Sequence, residues 1–124
     1  MFALDVSYVG VVPPSFLNEC KITLEEAFNK VLQEVLPLFR KYKITEPKLY
    51  IRKMSKCWGS CTKAGKIILK TELIKEPKGS IEYVIIHELC HFVHHNRTKA
   101  FFTLQDKIMP DWKKWKERLE YSLS

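Results

Sequence analysis

One segment constrains the fold of this chain more than any other, the stretch from Ile81 to about His94, which we predict to be a single helix. Its apolar residues recur with helical spacing and include Val84, Ile85, Leu89 and Phe92. Ser80 is a residue type that caps helices, and we expect the helix to begin there. An apolar face of this length predicts a helix packed against a core.

The segment before it predicts an earlier helix and a small sheet. Thr23 and Glu26 form a capping-box pattern, which predicts a helix from about 24 to 42, kinked or restarted at Pro37 because proline lacks a backbone donor. Extended residues 48–54, a glycine-containing turn and residues 67–69 predict an antiparallel pair of strands.

The segment after it predicts two more helices. Thr98 is placed to cap a helix that runs to about Ile108, and a last helix is expected from Trp112 to about Tyr121. Residues 1–20 are interpreted as an N-terminal arm. The order of elements predicts an α+β fold with an N-terminal helix, a small antiparallel or mixed sheet, and C-terminal helices.

Length and composition indicate one globular domain over residues 1–124. The chain is 46% hydrophobic and 28% charged, which is ordinary for a folded domain. Its longest apolar run is about four residues, far below the roughly 20 that a membrane span needs, so we expect no membrane partner. The N-terminus has no basic start, and the four cysteines are expected to be free thiols of a cytoplasmic protein.

The net charge of +7 favours polyanionic partners. Nucleic acid is therefore a possible partner, although lysines spread over a small surface give the same charge. The oligomeric state does not follow from this pattern.

The chemistry is predicted to lie at residues 87–91, which read H-E-x-x-H. On a helix, His87 and His91 share one face about one turn apart, where two imidazoles can bind one divalent cation. Glu88 lies beside the first of them and could act as general base toward a metal-bound water. The sequence therefore predicts a zinc hydrolase with His87 and His91 as metal ligands and Glu88 as the catalytic residue.

Residues 52–119 resemble the YgjP-like metallopeptidase family, part of the WLM/SprT-like group of zincins. The resemblance rests on the tetrad Trp58–Cys61, the segment 81–91, and later residues in the family's order and spacing: Asn96, Thr98, Phe101, Phe102 and the turn from Met109 to Trp112. It implies a zincin-like fold, Zn²⁺ as cofactor, and a peptide or protein substrate. Some members are instead described as nucleoside triphosphate pyrophosphatases, and SprT-like relatives cut proteins crosslinked to DNA.

The chain departs from the family pattern at the expected third ligand. The family reads Asn-His-Ser/Thr after the metal helix, and this chain has Arg97 in place of that histidine. Arginine stays charged and cannot ligate a cation. Losing one of three protein ligands is expected to weaken zinc binding by several kcal/mol.

Three outcomes of this substitution are open. The third ligand could come from another side chain, for which the candidates are His94, His95, Asp106 and Cys57. Water could complete a weaker two-histidine site, or no metal would bind. In the last case the chain would be a degenerate, non-catalytic zincin that binds protein or nucleic acid.

Overall fold

The computed structural model describes residues 23–55 and 57–123. Within these residues the fold consists of four α-helices and a three-stranded sheet. The α+β class is therefore confirmed, whereas the N-terminal arm predicted over residues 1–20 lies outside the described residues.

Helix α1, Leu24–Val35, begins as the sequence predicted. The Thr23 hydroxyl accepts a hydrogen bond from the Glu26 amide, and the Glu26 carboxylate accepts one from the Thr23 amide. The helix then tightens into a 3₁₀ helix, Leu36–Tyr42, with Pro37 in its first turn. This change confirms the interruption predicted at the proline, which cannot continue the α-helical hydrogen bonds.

The sheet contains strands β1 (Lys48–Arg52), β2 (Gly59–Cys61) and β3 (Lys66–Lys70). Their order is β1-β3-β2, with β1 parallel to β3 and β2 antiparallel to it. The antiparallel pairing predicted for the first and last of these segments is therefore wrong. The physical reason is that β2 lies between them in sequence and forms the hairpin with β3. β1 therefore pairs with the opposite edge of β3, and it runs in the same direction as β3.

Helix α2, Lys78–Val93, is the long helix that the apolar pattern predicted, but it begins before Ser80. Pro77 is its N-cap, and the Ser80 and Ile81 amides both donate to the Pro77 carbonyl. Ser80 therefore lies inside the first turn, where its side chain is fully buried and its hydroxyl has no hydrogen-bond partner. The prediction that Ser80 caps the helix was wrong because Pro77, with its fixed φ, already turns the chain into the helix.

The chain ends in helices α3 (Lys99–Ile108) and α4 (Trp112–Leu123). The Thr98 hydroxyl accepts from the Phe101 amide, which confirms the predicted cap. Trp112 and Leu119 of α4 are buried, so this helix contributes to the core. No helix in residues 23–55 and 57–123 combines the length and apolarity needed to cross a bilayer.

Helix α2 lies at the centre of the molecule and contacts α1, β2, α3 and α4. The approach of β2 is close: a Cβ added to Gly59 would stand 2.7 Å from a methyl group of Val84. Only glycine allows the sheet to lie this near to the helix. This contact places the end of β2 beside the acidic residue of the H-E-x-x-H segment.

Candidate metal centre

The two histidines of α2 face each other as predicted for residues four apart on a helix. The ring centres of His87 and His91 are 4.9 Å apart, and the ring planes are nearly perpendicular, at 86°. Two imidazoles that share one ion at about 2.1 Å bring their ring centres to about 5 Å. The spacing of the rings is therefore suited to a shared divalent cation.

His87 is the buried member of the pair, at 8% exposure. Its Nδ1 lies 2.7 Å from Oε1 of Gln105, a side chain of α3. Burial lowers the pKa of His87 to about 4, and the nearby charge of Arg97 acts in the same direction, whereas the Gln105 hydrogen bond opposes it. The ring is therefore neutral near pH 7, the form that binds metals.

His91 is less buried and is oriented by the backbone. Its Nδ1 donates to the carbonyl of His95 at 3.0 Å, just past the end of the helix. With Nδ1 as the donor to an oxygen in both contacts, Nε2 is the ring nitrogen that carries the lone pair. Metal-binding histidines are oriented by second hydrogen bonds of this type.

Glu88 is buried at 6% exposure and lies beside Cys61 at the end of β2. Burial raises the pKa of Glu88 to about 7, while the hydrogen bond from the Cys61 thiol and the charge of Arg97 lower it. Burial also raises the pKa of Cys61 to about 12, and the charge of Glu88 adds to this shift. The thiol is therefore a neutral donor to the carboxylate.

Arg97 lies at the site as well. Its Nη2 is 3.3 Å from Nε2 of His87. A guanidinium group has only donors, so the histidine nitrogen is the acceptor. Arg97 thus uses the lone pair that a metal would need, and a metal and Arg97 cannot both bind it at once.

The other predicted ligands do not complete the site. Cys57 is exposed, and Asp106 accepts a hydrogen bond from the Trp112 indole. His94 is the C-cap of α2, and His95 contributes its backbone carbonyl to His91. In the described part of the chain, no three His, Cys, Asp or Glu side chains form a group that could hold a metal. The donor set that the described residues offer to a divalent metal is therefore the two imidazoles of His87 and His91, without a third protein ligand.

A known protein family matches most of the chain. The family model described as "YgjP-like, metallopeptidase domain" matches residues 17–122. The chain belongs to the YgjP-like metallopeptidase family. The family implies a divalent metal, usually zinc, and a peptide or protein substrate.

A solved structure shows the same fold. The crystal structure of the metallopeptidase zymogen of Pyrococcus abyssi abylysin matches with a TM-score of 0.69 and 20% sequence identity. The match covers 77% of this chain and 94% of that chain. None of the curated proteins searched matches this chain significantly.

Sequence reasoning assigned no role at the site to three side chains that the structure places around His87, Glu88 and His91. Phe101 is fully buried against both imidazoles, with ring centres 5.1 Å from His87 and 4.5 Å from His91. Gln105 contacts His87, and Cys61 lies beside Glu88. The family resemblance had marked Phe101 and Cys61 as parts of its pattern, but no spacing rule pointed to Gln105.

Proposed function

We propose that this chain is a zinc-dependent peptidase in which His87 and His91 bind the metal and Glu88 is the catalytic acid and base. Membership of a metallopeptidase family supports the reaction class. The two imidazoles support the metal, because they lie one helical turn apart beside a buried carboxylate. The abylysin zymogen, which shares the fold, is also a metallopeptidase.

One observation carries the proposal: Nδ1 of each histidine lies within hydrogen-bond distance of an oxygen, at Gln105 for His87 and at the His95 carbonyl for His91. A histidine on a helix surface has no need of such a partner, because water satisfies it. With Nδ1 as the donor in both contacts, each ring would present Nε2 to a metal. Two rings in the same tautomer and 4.9 Å apart are typical of a metal site.

A divalent metal bound there would polarise the scissile carbonyl and lower the pKa of a water molecule. Glu88 would take the proton of the attacking water and deliver it to the leaving amine. The Cys61 thiol beside Glu88 would orient that carboxylate, and Phe101 packs against both rings. These residues orient the reacting groups before substrate binds.

Arg97 favours a second candidate function. With its guanidinium on His87 Nε2, the chain would be a degenerate zincin that binds protein or nucleic acid without catalysis. The net charge of +7 is compatible with a nucleic-acid partner. The two functions differ in whether the protein binds zinc at all.

The decisive experiment measures zinc and hydrolysis in the same preparations. The purified chain is stripped of metal, titrated with zinc against a chromophoric chelator, and assayed with fluorescently labelled casein. We expect one zinc per chain, which His91→Ala abolishes. Glu88→Gln should retain zinc but reduce hydrolysis by roughly 10²- to 10⁴-fold, the usual contribution of a general base.

Glu117→Gln is the matched control, because Glu117 is an exposed residue of α4 and the same chemical change there should alter neither measurement. A folded wild-type protein that binds no zinc would support the degenerate binding module instead. Hydrolysis that survives in Glu88→Gln would contradict the role of that carboxylate.

A further inference from the structure

We propose that Gln105 is a positioning residue of the metal site, which fixes the His87 tautomer so that Nε2 is available to a divalent cation. The proposal deepens the proposed function and rests on it, because it concerns the same cation. Gln105 itself would touch neither metal nor substrate.

The contact is short and fully enclosed. Gln105 lies on α3, is 0% exposed, and its Oε1 is 2.7 Å from Nδ1 of His87. Gln105 has no exposure to bulk water that could supply a substitute partner, and His87 is only 8% exposed. The proton position on the ring is therefore set by which atom the Gln105 amide presents.

The opposite side of the ring determines that orientation. Arg97 can only donate, so His87 Nε2 is an acceptor and the proton is on Nδ1. Gln105 must then present its oxygen, since an amide NH₂ would face another donor. The Arg97 contact and a Gln105 oxygen facing Nδ1 are thus compatible with one tautomer, protonated on Nδ1.

The rest of the Gln105 amide indicates why glutamine occupies this position. Its Nε2 is buried and has no hydrogen-bond partner. A buried donor without a partner is unfavourable, and an apolar residue of similar length would avoid that cost. Of the two polar atoms of the Gln105 amide, only the oxygen makes a contact, and it contacts the His87 ring.

The test replaces Gln105 with methionine, which has a similar length but no strong acceptor. We expect zinc affinity to fall by about 10- to 100-fold, the usual effect of losing the partner of a ligating histidine. The Tm of the metal-free protein should stay within about 5 °C, because the variant loses one hydrogen bond but also removes a buried unpaired donor. A merely structural role predicts a large fall in Tm with unchanged zinc affinity, and would overturn the proposal.

A second readout needs no metal. Long-range ¹H–¹⁵N spectra report which ring nitrogen of His87 carries the proton. We compare Arg97→Met with Arg97→Met/Gln105→Met, so that no donor faces Nε2 in either protein. The proton should be on Nδ1 in the first and shift toward Nε2 in the second, and an unchanged tautomer would contradict the positioning role.

Two further variants sharpen the result. Gln105→Glu keeps an acceptor oxygen and should restore zinc affinity to at least that of wild type. Gln33→Met changes the other glutamine of the described chain, an exposed residue bonded to Glu46, and should change neither zinc affinity nor the tautomer. Should Gln105→Glu fail to restore binding in a folded protein, the acceptor is not what the site needs.

The two proposals can fail separately. If wild type binds no zinc, the proposed function fails, but the tautomer of the metal-free protein still tests Gln105. If wild type binds zinc and Gln105→Met binds it equally well, only the role of Gln105 fails.

Discussion

The inner and outer sides of the candidate site are built differently. On the inner side, His87 and Glu88 are buried and lie against side chains from other elements, Gln105 and Cys61. On the outer side, His91 is held by a backbone carbonyl, and Arg97 is an exposed residue of the turn before α3. The difference teaches that packing fixes the positions of His87 and Glu88, whereas the exposed residue 97 can vary without disturbing the core.

The largest effect is expected on stability, at Phe101, which packs against both imidazoles. Phe101→Ala should lower the free energy of unfolding by about 3–5 kcal/mol, because it opens a cavity beneath both imidazoles. Chemical denaturation measures this change. Phe102→Ala is the control, since Phe102 is only partly buried, and an equal loss there would show that Phe101 has no special place under the site.

The reactivities of Cys61 and of exposed Cys57 test whether the inner side of the site is enclosed. Cys61 has its pKa raised to about 12, so below that pH it remains a thiol, and only the thiolate is alkylated. In a Cys20→Ser background at pH 8, we expect exposed Cys57 to react with iodoacetamide at least about a thousandfold faster than Cys61. Peptide mass spectrometry measures both rates.

Unfolding in guanidinium chloride provides the control for that prediction, because it should bring the two rates together. Comparable rates in the folded protein would mean that Cys61 is not enclosed beside Glu88. The proposed difference in burial between the inner and outer sides would then be wrong.

On the outer side, Arg97→His should tighten zinc binding by about a hundredfold, since it removes a competing donor and adds a third imidazole. Arg97→Met, which only removes the donor, should give a smaller gain. Zinc titration measures both, and Arg40→His serves as control because Arg40 is exposed on the 3₁₀ helix. Unchanged affinity in Arg97→His would place residue 97 away from the metal.

The smallest effect is expected at the two remaining histidines. His95→Ala keeps the backbone carbonyl that holds His91, so zinc affinity should change by less than about threefold, as for other exposed side chains. His94→Ala should behave in the same way. A loss of zinc in either variant would identify that side chain as the third ligand.

The sequence predicted the parts of this molecule that depend on local pattern. The Thr23 capping box, the tightening at Pro37 and the apolar α2 helix all follow from the chemistry of neighbouring residues, and all are confirmed. His87, Glu88 and His91 could be proposed for the same reason, because their spacing is local.

What the sequence could not give depends on contacts between distant segments. The parallel pairing of β1 and β3 follows from the sheet position that β2 takes, which alternation of residues does not reveal. The contact between Gln105 and His87 joins α3 to α2. Arg97 was recognised as a departure from the family pattern, but that its guanidinium lies on His87 required the structure.

The central position of α2 has a consequence for partial unfolding. Because the helix is enclosed by α1, β2, α3 and α4, its amide hydrogens should exchange with deuterated solvent only when the whole domain opens. The two imidazoles would then form and disappear together with the entire fold, and no locally frayed state of this domain would retain half of the site.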